Sequence, residues 1–401
     1  MSQSQGKVIL RKGRSGPVWA GHPWVFSGAV QSVKGNPEHG DLVWVEDPLG
    51  NSIGQGHYSK DAHITVRMLS LGESPVDEEA FVSSRIDRAL ASRQRLGLPS
   101  KETTAYRLVS SEGDRLPGLI VEHLGQGLVI SVGSAGMLRL KDVIKDHLKE
   151  IINPQWMVFQ VPKDAARLEQ LPPQSILLHG DEEDVAKTTV LENGIQFYCD
   201  PLGGQKTGYY ADQRANHLLV ASLVKDQKVL DAYAYGGGFG LHAAILGGAS
   251  QVTSVDSSAR AGRLIKRNAT LNGKELKVVV DDAINYLRDK APEEQFDVII
   301  LDPPKFVRSR SHLAAGLKKY RKVNMLAMEA LAPGGILVTC SCSSMVSEND
   351  FFRMLTEAGA TTNKDVHILS VGGQGPDHPF LSVCAESRYL KVVIAQVQER
   401  N

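Results

Sequence analysis

From residue 200 onward, short apolar runs alternate with stretches of mostly helical length: KVLDAYA, VTSVD, KVVVDD, FDVIILD and GGILVTCSC. Each run is apolar at successive positions and stops at polar residues. Strands buried on both faces read this way, so the pattern predicts a parallel, doubly wound α/β sheet. Such sheets bind ligands beyond the carboxyl ends of their strands, which makes the residues where each run stops the candidates for function. Residues 7–71 read differently. DLVWVED, NSIGQGHYS and HITVRMLS half-alternate and are bounded by Gly, Pro and Asn, as in a small β-barrel or sandwich. After SLGESPVDEE the period becomes helical, with Phe81, Ile86, Ala89, Leu90 and Leu96 on one face and Arg85, Arg88, Arg93 and Arg95 along it. Two strands (RLVSS and GLIVEHLGQGLVISV), a helix near 138–152, the strand WMVFQVP and more β near 194–199 follow. The expected domains are 1–75 (β-barrel), 76–199 (small α+β module) and 200–401 (doubly wound). No internal repeat or low-complexity tract interrupts them.

Composition narrows the function classes. With 42% hydrophobic and 22% charged residues the chain falls among globular proteins, not disordered or fibrous ones. Its 45 basic and 45 acidic residues cancel, so any attraction to a polyanion must come from a local patch. Cysteines occur at 199, 340, 342 and 384, a spacing that offers no disulfide framework and suggests a reducing compartment. No leader-like apolar stretch opens the chain and no window approaches ~20 apolar residues, so a cytoplasmic protein is expected.

The first strand end carries Asp231 and leads into Gly236, Gly238 and Gly240 ahead of an apolar helix; the second ends at Asp256. Glycines there let backbone approach a ligand, and an acid about 20 residues on can bind ribose hydroxyls, so an adenosine-type ligand is expected. The glycines read G-x-G-x-G, which disfavours a nicotinamide dinucleotide. Asp282 closes the third run and serves equally as a helix N-cap or a ligand contact. The fourth run ends in Asp302 before two prolines, whose missing N–H groups hold an extended, rigid turn suited to the edge of a nucleobase. From Pro303 to Met328 come Lys305, Arg308, Arg310, Lys318, Lys319, Arg321 and Lys322 with no acid among them, a patch that favours a phosphate backbone. Arg11, Lys12 and Arg14 sit near Trp19, Trp24 and Phe26 in a similarly acid-free stretch. The fifth run ends at Cys340 and Cys342. Alternation puts both on one face, so periodicity does not choose between them, although Cys342 lies nearer the strand end. A thiolate there could attack an electron-poor carbon, whereas C-x-C with the other cysteines remote lacks zinc spacing.

DPPKF, SCS and QKTGYYADQR, in this arrangement with the glycine turn, resemble the cytosine-C5 ribosomal RNA methyltransferases of the large-subunit methyltransferase I type. The resemblance spans nearly the whole chain: GHPWVFSGAV resembles the entry to that family's N-terminal PUA RNA-binding barrel, and DHPFLSV followed by ESRYLKVV its closing hairpin. It implies a Rossmann-like domain using S-adenosylmethionine, with Cys342 as nucleophile and Asp302 holding the N3/N4 edge of the cytosine. It also implies Asp231, Gly236, Gly238 and Asp256 lining the cofactor, Asp282 near the adenine, and Gln205, Thr207 and Tyr210 on the methionine side. RNA would be gripped by Lys305, Arg308, Arg310, Lys318 and Lys319, by the barrel residues Arg11, Lys12 and Arg14, and by the arginine helix. A related branch carries a second cysteine in the DPP motif; Lys305 follows the prolines here, so release must proceed without a helper thiol. The rival readings are an amino-nitrogen methyltransferase acting on adenine or guanine, and a non-catalytic RNA-binding assembly protein. Oligomeric state is open, a homodimer included.

Overall fold

The computed structural model describes residues 6–203 and 207–400, so Gln205 lies outside the described residues. The chain divides into two compact units. One comprises Met1–Val190, Cys199–Ala211 and Pro376–Ser387; the other comprises Leu191–Tyr198, Asp212–Gly375 and Arg388–Asn401. The expected barrel and most of the expected α+β module thus fall together in the first unit, but Leu191–Tyr198 of that module belongs to the second unit, while residues 200–211 and Pro376–Ser387, expected in the doubly wound domain, belong to the first.

The first unit holds two sheets. Its N-terminal sheet has six strands, ordered Trp24–Phe26, Ile64–Met68, Ser52–Tyr58, Leu42–Glu46, Lys7–Leu10, Val30–Lys34, around a core of Val8, Leu10, Val25, Val43, Val45, Ile53 and Val66. The second sheet has five strands, ordered Gln174–His179, Trp156–Val161, Gly127–Val132, Leu119–Leu124, Ala105–Ser110. GLIVEHLGQGLVISV, expected as one strand, is a hairpin, because Gly125 takes φ +64° and turns the chain. Helix Glu78–Arg95 is capped by the Asp77 carboxylate, which accepts from the Ala80 N–H. Its buried stripe is Val82, Ile86, Ala89 and Arg93, one step round from the expected face, while Leu96 is exposed. Arg93 is therefore no RNA ligand. Its guanidinium is clamped by both Asp114 oxygens (2.6 and 2.7 Å) and donates to the Arg107 and Asp377 carbonyls.

The second unit is the doubly wound domain. Its seven strands run Lys277–Val280, Gln251–Asp256, Lys228–Ala232, Phe296–Leu301, Leu331–Ser341, Lys391–Glu399, Lys364–Gly372, with Lys391–Glu399 antiparallel to both its neighbours. Alternate residues feed cores on opposite faces. Leu230, Ala232, Ile299, Leu301 and Leu337 pack on one side with Tyr320 and Phe351, whereas Val229, Val298, Ile300, Val338 and Cys340 pack on the other with Val220 and Phe239. Each fully buried Val, Leu or Ile contributes ~1.5–3 kcal/mol, which is why these runs are apolar throughout. Strand order reverses between Lys228–Ala232 and Phe296–Leu301, and the loops leaving these two strands carry the glycine turn and Asp302.

The closing hairpin is corrected as well. It pairs Lys364–Gly372 with Lys391–Glu399; DHPFLSV (377–383) contributes no strand. Pro379 within the segment and Pro376 directly before it limit it as a ladder strand. Instead the Asp377 carboxylate accepts the Arg107 backbone N–H at 2.9 Å, which groups the segment with the first unit.

Candidate cofactor and nucleophile site

Three acids gather at the carboxyl ends of neighbouring strands. Asp231 is 1% exposed, and its Oδ2 accepts the Gly240 N–H at 3.0 Å. Burial pushes its carboxyl up to about 7, Gly240 and His217 oppose that rise, and Asp302 and Asp256 add to it by like-charge repulsion. Asp256 clamps the next turn, accepting from the Tyr235 N–H (3.0 Å) and the Ser258 N–H (2.8 Å). Asp282 caps helix Ala283–Asp289, its Oδ1 accepting from Ile284 and Asn285, so the capping alternative is realised.

The glycine turn is held from below. Tyr235 (φ +47°) and Gly237 (φ +81°) are left-handed, and helix Gly238–Ile245 begins directly after them. A Cβ on Gly240 would lie 2.8 Å from Ser254 Oγ and 3.0 Å from Asp231 Oδ2. A Cβ on Gly238 would lie 2.6 Å from His217 Cε1, so Gly238 is glycine because the imidazole packs beneath it. A Cβ on Gly236 would meet nothing nearer than 3.6 Å, leaving its outer face open as a cradle. His217 is fixed by a 2.6 Å hydrogen bond to Glu192. His242 donates from Nδ1 to the Gly238 carbonyl at 2.8 Å, and burial lowers it to about 4, so it is neutral. Glu192, His217 and His242 carry no signal in the sequence because none of them ends a strand of the doubly wound sheet: Glu192 closes the short strand Thr189–Glu192, and the two histidines lie in helices.

Asp302 Oδ2 accepts from Gln213 Nε2 at 3.1 Å, and Asn216 Nδ2 donates to Gln213 Oε1 (2.7 Å) and the Gly373 carbonyl (3.0 Å). Gln213 lies within QKTGYYADQR, so the motif held the signal, although residues 205, 207 and 210 were singled out. Thr207 is buried and hydrogen-bonds the Tyr209 carbonyl; it and Tyr210 belong to the first unit.

The two strand-end cysteines share a face, as alternation requires, and burial separates them. Cys340 is 0% exposed; burial and the Asp302 carboxylate hold its thiol well above the ordinary value. Cys342 is half-buried. The flanking serines turn the other way: Ser341 Oγ donates to Tyr320 OH at 3.0 Å, Ser343 Oγ lies 3.1 Å from the same hydroxyl, and the Val307 N–H donates to Ser343. Tyr320 is in turn packed by Phe306, 4.8 Å between ring centroids. The Ser-Cys-Ser segment is thereby pinned with its central sulfur on the opposite face.

Lys305, Arg308, Arg310, Lys318, Lys319 and Lys322 are all exposed, while Arg321 is half-buried with Glu357 3.5 Å away. Arg11, Lys12 and Arg14 are exposed on the N-terminal sheet domain, Arg11 donating to the Val30 carbonyl. Trp24 is half-buried and gives its indole N–H to Glu112.

A family model described as S-adenosylmethionine-dependent methyltransferase matches residues 144–391, and a PUA-like domain model matches residues 8–71. Ribosomal RNA large subunit methyltransferase I of Aeromonas salmonicida is 33% identical over 98% of this chain and 99% of its own; that of Photobacterium profundum is 36% identical over 96% and 97%. The chain belongs to the ribosomal RNA large subunit methyltransferase I family. A solved structure from Streptococcus mutans, described as that of a SAM-dependent methyltransferase by assignment, shares the fold over 97% of this chain and 99% of its own, with a TM-score of 0.84 at 21% identity. As a member of this family the chain uses S-adenosylmethionine. Its strand-end acids suit that cofactor, whose hydroxyls, ammonium and sulfonium all call for acceptors or negative charge, and the open face of Gly236 suits its close approach. Among the described residues no helix is long and apolar enough to cross a membrane.

Proposed function

We propose that this enzyme forms 5-methylcytosine in large-subunit ribosomal RNA through a transient bond between Cys342 Sγ and C6 of the target base. The observation that supports this most is the pinned Ser-Cys-Ser segment, which leaves a half-buried thiol at the strand end while its twin Cys340 is sealed. S-adenosylmethionine supplies an electrophilic methyl group. Carbon C5 of cytosine is a poor nucleophile until the sulfur lone pair adds to C6 and drives the ring π electrons toward C5. Asp302, steadied by Gln213, holds the N3/N4 edge of the base during that addition. Once the methyl group is on C5, a base removes the C5 proton, the electrons restore the double bond, and the sulfur leaves with its pair. Asp231, Gly236, Gly238 and Asp256 bind the cofactor, with Asp282 on the adenine side and Gln205, Thr207 and Tyr210 toward the methionine. C5 and C6 are shielded in a stack, so the target is single-stranded or flipped out. Lys305, Arg308, Arg310, Lys318 and Lys319, with Arg11, Lys12 and Arg14, hold the surrounding phosphates. The relatives' ribosomal RNA names support that substrate, and the substrate together with four cysteines outside any disulfide supports a cytoplasmic setting. The homodimer expectation finds no support.

The test uses ribosomal RNA transcribed with 5-fluorocytidine, whose C5–F bond cannot be broken by proton removal. The full chain with S-adenosylmethionine is expected to give an adduct stable to denaturing gels, retained by Cys340→Ala and lost in Cys342→Ala. Cys342→Ala that still methylates unmodified RNA overturns the reading and points to an exocyclic nitrogen.

A further inference from the structure

A buried lysine is hydrogen-bonded to the backbone next to the proposed nucleophile, and the mechanism so far does not use it. Lys391 begins the antiparallel strand Lys391–Glu399 and is the cross-strand partner of Ser341, one residue before Cys342. Its side chain is 4% exposed, and its Nζ donates to the Ser343 carbonyl at 2.6 Å and the Tyr389 carbonyl at 2.9 Å. The ammonium is thus tied to the residue directly after the thiol. No carboxylate forms an ion pair with it among the described residues. Burying a lysine with carbonyls alone is costly, and the usual reason to tolerate the cost is an anion that the lysine serves.

We infer that Lys391 is the positioning residue for Cys342: its ammonium holds the Cys342 sulfur as a thiolate, ready to add to C6, and receives it again as a thiolate when the C6–S bond breaks. This rests on the reading of Cys342 as nucleophile. The balance is simple. The thiol proton passes to solvent before RNA binds, the sulfur pair forms the C6–S bond, and the same pair returns to sulfur on elimination. Lys391 stays protonated throughout and exchanges nothing. It also supplies what the missing second thiol would otherwise have to provide, a way to make Cys342 a good leaving group.

The electrostatic surroundings agree. Burial lowers the Lys391 ammonium to about 8, and the strongest force resisting that fall is the charge of Cys342 itself. Arg388 and Lys305 repel the ammonium and Glu348 attracts it, but Glu348 is engaged by Arg388 at 2.6 Å. Tyr320 and Cys340 both feel the charge of Cys342, from the helix and strand packed around it; burial raises both, so neither competes as an anion near neutral pH.

Alkylation by iodoacetamide, followed at Cys342 by peptide mass spectrometry on the full chain without RNA, reports the thiolate fraction against pH. The wild-type rate is expected to reach half-maximum below the ~8.5 of an ordinary thiol. Lys391→Met is expected to move that midpoint up by ~1–3 pH units, and Lys391→Arg to restore most of the shift. Single-turnover methylation by Lys391→Met should fall at pH 7, by up to about tenfold for each unit of that shift, and recover as pH rises. A merely structural lysine gives no such recovery. A wild-type midpoint at or above that of an ordinary thiol overturns the inference without any variant; so does a folded Lys391→Met with an unchanged midpoint. A low, lysine-dependent midpoint without a 5-fluorocytidine adduct leaves the ion pair standing and removes the cytosine reading instead.

Discussion

Asp231 makes two demands on solution behaviour, and they have opposite signs. Its carboxyl titrates near 7 in the fold against 3.8 normally, because burial strips its hydration and the Gly240 N–H and His217 only partly compensate. In the unliganded protein a raised value means that protonation favours the fold. The contribution is fully present below the ordinary carboxylate value and is lost as pH rises through about 7. At ~1.4 kcal/mol per pH unit the whole span is on the order of 4 kcal/mol. Cofactor binding runs the other way, since a ligand rich in hydroxyls and positive charge selects the ionised carboxylate. The dissociation constant then grows as acid is added, by about fivefold from pH 7 to pH 6 and about tenfold for each unit below. Calorimetric titration with S-adenosylmethionine from about pH 5.5 to 8.5 at constant ionic strength, beside thermal unfolding of the unliganded protein, measures both. Affinity should rise to a plateau above pH 7 while the unliganded melting temperature declines over the same interval. Asp231→Asn should bind weakly and without that slope. A flat wild-type profile, or a slope that survives in Asp231→Asn, refutes the assignment.

Two further outcomes test the correction at Arg93 and the basic patch. Arg93→Met leaves the Asp114 carboxylate buried without its guanidinium and should cost ~3–5 kcal/mol in urea unfolding; a loss under about 1 kcal/mol would show that the clamp is not a structural pair. Replacing Lys305, Lys318 and Lys319 together by Ala should weaken RNA binding and flatten the plot of log affinity against log salt by roughly two, as expected for three phosphates of single-stranded RNA. An unchanged slope would place the RNA elsewhere.

The parallel sheet was legible because strands buried on both faces admit little but Val, Ile, Leu and Ala, and the acids at their ends break that run abruptly. Asp231, Asp256 and Asp302 could be located for this reason. Periodicity of two is blind to depth, so it put Cys340 and Cys342 on one face and could not say which was sealed. Arg93 was misjudged because a helical arginine reads as solvent-facing until its partner is known, and Asp114 is 21 residues away. Lys391 and Gln213 matter through partners brought together by tertiary packing, and no local pattern marks them. DHPFLSV was read as part of a hairpin on resemblance alone, whereas its backbone has no strand partner and its Asp377 serves Arg107 and Arg93.

The chain passes between its two compact units five times, after Val190, Tyr198, Ala211, Gly375 and Ser387. Neither unit is therefore a continuous stretch that can be cut out and expressed intact. A fragment ending at residue 190 loses Asp377, and with it the acceptors for the Arg107 N–H and one Arg93 N–H. A fragment starting at residue 212 loses Glu192, the anchor of the imidazole beneath Gly238, so its glycine turn would be left without a floor.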